Sequence, residues 1–196
     1  MIRKMKKLIS FLSIALALVL SGSCLPLQVN EPYEGVALDP YEGVCCWDFL
    51  QKHSDELGCY IQAIELCGIK EYFTQTTTQY TFLPLTDAAI QEDLDAAKAD
   101  ASKVGALKDI LLFHIIKGAY HGYGSLKYEV QHVETLLGGD SLMSICVSNE
   151  GNQYQRDRIK LMTDCGSSTI VYSIACNHIC TNGPAHLLNT KCVYVE

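Results

Sequence analysis

Cys176, His178 and Cys180 stand at alternate positions of the stretch "CNHIC". On a β-strand, alternate side chains share a face, and two sulfurs with one imidazole form a donor set of the kind zinc takes. A tetrahedral ion needs a fourth donor, and three near neighbours on one extended strand do not wrap it unaided. These residues are therefore expected to serve a disulfide or plain packing, with no metal and no cofactor. The chain has 10 cysteines. Apart from Cys24, they are Cys45, Cys46, Cys59, Cys67, Cys146, Cys165, Cys176, Cys180 and Cys192. That set is odd, so one thiol stays free or pairs between molecules. Known catalytic patterns are missing: no G-x-S-x-G elbow ("GYGSL" has the wrong order), no phosphate-binding glycine loop and no H-E-x-x-H. A Cys–His pair assembled by folding is the remaining enzymatic alternative, and the expectation is no catalysis and no catalytic residue.

A second group suits binding rather than chemistry. "GAYHGYGSLKY" (118–128) sets Tyr120, His121, Tyr123 and Tyr128 among glycines. Tyrosines on a loop offer flat apolar faces with a hydroxyl, suited to protein or sugar. The plainer alternative is that Tyr120 packs inward and the glycines only turn the chain.

Cys24 is a third kind of site. Arg3, Lys4, Lys6 and Lys7 precede an uncharged run, Leu8 to Leu20, and small residues Ser21-Gly22-Ser23 precede Cys24. The run is too short to span a bilayer core of about 30 Å and has the layout of a secretory signal. With its cysteine it resembles a bacterial lipoprotein signal, although Leu20 stands one place before the usual position. The resemblance implies cleavage after residue 23, lipidation of Cys24 and, with Leu25 next, an outer-membrane address whose periplasmic or surface face stays open. Acyl chains would hold the protein on the membrane.

Of the 15 basic and 22 acidic residues, a cut after residue 23 removes four basic ones and leaves a net charge of −11. Nucleic acid is excluded as a partner, because it needs basic patches. Residues 24–44 read as the lipidated cysteine and an acidic Pro/Gly tether, with "PYEGV" occurring twice. Residues 45–196 read as one domain.

The positioning elements follow from periodicity. "CCWDFLQKH" predicts a short helix with Trp47 and Leu50 on one side. "SDELGCYIQAIELCG" predicts a helix capped at Ser54 and stopped at Gly68. "YTFLPLT" (80–86) is β-rich and leads into a helix capped by Thr86 or Asp87. A further helix runs from near Ser102 to Gly118, with Val104, Leu107, Leu111 and His114 on one face, joined by Ile110. Short β-rich runs follow at 141–148, 158–162, 168–175 and 191–195. Helices first and strands later predict an α+β fold.

Four stretches resemble the motifs of fasciclin-like domains, in family order: "YTFLPLTDAAI" (80–90), "LLFHIIKG" (111–118), "VETLLGGDSLMSI" (133–145) and "TNGPAHLLNTKCVY" (181–194). Pro84, Pro184 and the Leu188-Asn189 pair depart from the pattern. The resemblance implies a wedge-like β-sandwich of about seven strands with packed helices. It carries family motif positions onto Thr81, Phe82, Thr86, Asp87, His114, Asn182, Gly183 and His186. It also matches the family's adhesive pairs to Asp109-Ile110 and Phe113-His114. His114 and Ile110 read first as core, so Asp109 is the better recognition candidate, beside Tyr120, His121 and Tyr123. The implied function is a binding or adhesion module for a protein or glycan. An accessory part of a glycan-capture or uptake complex is the alternative.

Overall fold

The computed structural model describes residues 41–122, 124–139, 142–148, 158–163 and 170–193. The signal-like segment, Cys24, residues 25–40 and Tyr123 lie outside the described residues.

Helix α1 (Cys46–Lys52) carries Asp48 in its first turn and Lys52 in its last, matching the helix dipole. It buries Cys46, Trp47, Phe49 and Leu50. Helix α2 (Ser54–Leu66) buries Leu57, Tyr60, Ile61, Ala63 and Ile64. Ser54 is its first residue rather than its cap; His53 holds that position and makes no side-chain capping bond. The predicted stop is there. Gly68 takes φ 65°, and the Ile69 N–H donates to the Ile64 carbonyl at 3.2 Å, closing the last turn. A single turn, α3 (Glu71–Thr74), buries Phe73.

Strand β1 (Tyr80–Phe82) precedes α4 (Asp87–Ala99), which buries Ile90, Leu94 and Ala97. Thr86 is the N-cap residue of α4 without a side-chain bond. The Asp87 carboxylate accepts instead from the Cys59 N–H at 2.7 Å, tying α4 to α2. The Asp100 side chain caps the 3-10 turn Ala101–Lys103 through the Ser102 N–H. Helix α5 (Val104–Phe113) follows.

The predicted helix to Gly118 is corrected here: α5 ends at Phe113, and Ile115–Lys117 form strand β2. Two adjacent isoleucines favour a strand, and β2 has a partner, pairing antiparallel with β1 from Tyr80↔Lys117 to Phe82↔Ile115. The remaining strands are β3 (Gln131–Glu134), β4 (Leu142–Val147), β5 (Ile159–Thr163), β6 (Ile170–Cys180) and β7 (Gly183–Leu188). The expected strand at 191–195 is not formed in its described part, Lys191–Val193.

Seven strands make one mixed sheet in the order β2-β1-β7-β6-β5-β4-β3. Among the described residues, β1 and β7 are the strands that pair in parallel. The sheet curls until its edges meet, since Ile116 of β2 bridges Thr135 and the Leu136 N–H donates to the Ile115 carbonyl at 2.8 Å. The fold is thus the α+β wedge of seven strands and packed helices that the motifs imply. Residues 41–44, assigned to the tether by composition, lie against the end of β6. The Glu42 N–H donates to Ile179 and the Thr181 N–H to Val44, each at 2.9 Å.

Candidate functional site

Strand β6 does not run straight. Its pairing with β7 shifts register between Ser173 and Ala175 and again between Ala175 and His178. Asn177 sits in the bulge with φ 63°, a left-handed conformation that asparagine tolerates better than most residues. The bulge breaks the alternation assumed for "CNHIC". Cys180 is buried, while Cys176 and His178 are half-buried. The His178 imidazole reaches Glu42 Oε1 at 3.1 Å, and its ring centroid lies 4.9 Å from that of Phe49. Among the described residues no three His, Cys, Asp or Glu side chains are grouped to hold a metal.

What the bulge does is hold a loop. The Asn177 Oδ1 accepts from the Gly122 N–H at 2.7 Å. The Asn177 N–H donates to Nδ1 of His186 at 3.0 Å, and Nε2 of His186 lies 2.8 Å from the Tyr120 carbonyl. An accepting Nδ1 leaves the proton on Nε2, so His186 is a neutral imidazole that donates to Tyr120. Burial holds its pKa down at about 4, against the partly offsetting bond to Tyr120. From the other side, Thr81 Oγ1 accepts from the Tyr120 N–H and donates to the Gly118 carbonyl, both at 2.8 Å. The His121 N–H donates to Ser125 Oγ at 2.7 Å.

Residues 118–122 are therefore anchored on three buried polar side chains, Thr81, Asn177 and His186. These come from β1, β6 and β7, which adjoin in the sheet. The loop carries the half-buried Tyr120 and His121. Tyr120 packs partly on the core, as the plainer alternative has it. Among the described residues, the buried side-chain polar atoms without a hydrogen-bond partner are His121 Nδ1 and the Tyr60 hydroxyl. The spacing of "CNHIC" marks the cysteines and the histidine but not Asn177, whose one sequence signal is asparagine itself, a residue suited to a bulge.

The other motif residues are structural. His114 is fully buried at the end of α5. Its Nδ1 lies 2.7 Å from the Ile110 carbonyl, and its Nε2 accepts from the Cys192 N–H at 3.0 Å. Burial lowers its pKa to about 4. Asn182 is buried, accepts from the Cys46 N–H at 2.8 Å and donates to the Phe73 carbonyl at 2.9 Å. Gly183 has φ 130°, and a Cβ there would stand 1.7 Å from the Tyr80 carbonyl oxygen. Phe82 is buried in the core. The backbone of Thr86 donates to Leu188 at 2.9 Å. Asp109 and Ile110 are both half-buried on α5, and the structure does not bring Asp109 together with the Tyr120 loop in any hydrogen bond or ion pair among the described residues.

The family model of the fasciclin domain matches residues 56–191. The chain belongs to the fasciclin domain family. The solved FAS1 domain pair from the insect cell adhesion molecule fasciclin I is similar in fold, with a TM-score of 0.56 at 16% identity. That likeness covers 77% of this chain and 51% of the other, so the chain spans about half the length of the insect structure. No curated protein matches the chain. In this fasciclin domain, the motif threonine, the closing-motif histidine and the β6 bulge act together as the clamp on one loop.

Proposed function

We propose that this fasciclin domain is a non-catalytic binding module, held on a bacterial envelope by a lipid on Cys24, that recognises a protein or glycan through the loop at Tyr120–Tyr123. The observation that carries the reading is the clamp. Four hydrogen bonds, from Thr81, Asn177, His186 and Ser125, fix the backbone of Tyr120, His121 and Gly122. A loop ordered before contact loses less freedom on binding, and aromatic side chains on it present contact area with few torsions to freeze. The likeness to a cell adhesion molecule supports the same class of function.

The test has two arms. Intact cells are shaved with protease and fractionated, comparing the natural chain with Cys24→Ser. Membrane association that is lost in the variant supports the anchor, and clipping from outside supports surface display. Protection within a membrane-bound pool favours the accessory role in an envelope complex. In the second arm, Tyr120→Ala and His121→Ala are expected to weaken capture of ligands found on glycan and matrix-protein arrays by tenfold or more. Unchanged capture by both would remove the loop from the site.

A further inference from the structure

Two cysteines from opposite ends of the domain meet inside it. Cys46 opens α1, and Cys180 closes β6. Both are buried, at 0% and 3% exposure, and their side chains are close enough to interact. The backbone on each side is pinned. The Cys46 N–H donates to Asn182 Oδ1 at 2.8 Å, and the Thr181 N–H donates to the Val44 carbonyl at 2.9 Å. The other thiols with known partners point elsewhere: Cys45 to the Asp48 carboxylate, Cys59 to Gln91 Oε1 and Cys67 to the Val104 carbonyl.

We propose that Cys46 and Cys180 are a disulfide-forming pair, a covalent staple between the start of the domain and the end of β6. Burial pushes the Cys46 thiol well above its ordinary range, so in the folded domain Cys46 is a poor nucleophile. The bond therefore forms while α1 is still undocked. The Cys46 thiolate attacks a sulfur of a small-molecule disulfide and releases one thiolate. The Cys180 thiolate then attacks the Cys46 sulfur, forms the Cys46–Cys180 bond and releases the second. Two protein thiols are oxidised, one disulfide is reduced to two thiols, and the two protons end on those thiols. The pairing is independent of the lipid-anchor reading. One consequence does rest on that reading: load arriving through the tether would meet a covalent bond to β6 once the hydrogen bonds of residues 42–44 gave way.

The full chain, purified in detergent, is reduced, unfolded and refolded across a range of glutathione to glutathione-disulfide ratios, then alkylated and mapped by mass spectrometry. Because Cys45 and Cys46 share a peptide, Cys45→Ser is mapped beside the natural chain. The expected result is a peptide joining Cys46 to Cys180 in both, still crosslinked at ratios at which the other cysteines are recovered as alkylated thiols. The melting temperature should fall by about 10 °C when the bond is reduced. Cys180→Ser should abolish that reductant-sensitive difference, and if this variant fails to fold, the maps of the other two chains decide. Recovery of Cys46 and Cys180 as alkylated thiols at every ratio, or a crosslink running from Cys45 instead, would overturn the proposal. The refolding readout does not depend on where the cell places the protein, so it can fail while the anchored reading stands.

Discussion

At the scale of single residues, Gly183 and Asn177 have conformations that side-chain chemistry alone would not reveal. Gly183→Ala would force a methyl group into the Tyr80 carbonyl at a φ of 130°. The expected cost is about 3 kcal/mol or more, enough to unfold a marginal domain, and thermal melting would show it. A melting temperature within a degree or two of the parent would contradict the packing of β7 on β1. At Asn177 two effects can be separated. Asn177→Gly keeps the left-handed bulge and loses the bond to Gly122, whereas Asn177→Ala loses both. We expect Ala to destabilise more than Gly, by about 1 kcal/mol. Both should speed amide hydrogen exchange at Gly122, whose donor then lacks its acceptor. Unchanged exchange in both variants would mean that the side chain does not hold the loop.

Elements were legible where one period ran long enough and local signals agreed with it. The α2 stripe and its glycine stop, and the α4 start at Asp87, are of that kind. The boundary between α5 and β2 was not, because "LLFHIIKG" is apolar at every position but the lysine and the histidine, and such a run fits either period. What decides it is nonlocal: β1 supplies a partner for Ile115–Lys117, and His114 takes the last turn's carbonyl. The β6 bulge was hidden for the same reason, since register belongs to a pair of strands. Only part of the candidate site could be read: Tyr120 and His121 from their residue types, Thr81 and His186 from the motifs, but not their convergence on one loop. Asn182 shows how much can hang on such a convergence. One side-chain amide joins the start of α1 to the end of α3, while the Asn182 backbone carbonyl accepts from the Tyr80 N–H of β1 at 3.0 Å. Asn182→Ala would strand a buried N–H and a buried carbonyl, at an expected cost of about 2–4 kcal/mol, read as a lower urea midpoint. Asn182→Asp would restore the acceptor alone and should not rescue the Phe73 side.

At the scale of the whole molecule, two buried neutral histidines make stability depend on pH. His114 ties the chain after β7 to α5, and His186 ties β7 to the loop. Each has its folded pKa held at about 4 by burial, below the ordinary 6.5. Between those values the unfolded chain binds more protons than the folded one, so stability falls as pH falls. Their contribution is fully present above about pH 6.5 and is lost progressively toward pH 4. By pH 4.5 the expected loss is about 2–3 kcal/mol per histidine. One other effect has the opposite sign: adding protons reduces the self-repulsion of a chain with formal charge −7. It acts near the surface, where charge interactions are worth about 1 kcal/mol or less, so the buried pair should prevail. Urea midpoints from pH 7.5 to 4.5 provide the measurement, and most carboxylates stay ionised in that window. A flat profile would mean that neither His114 nor His186 is buried and neutral, and would remove the proton assignment on which the Tyr120 clamp depends.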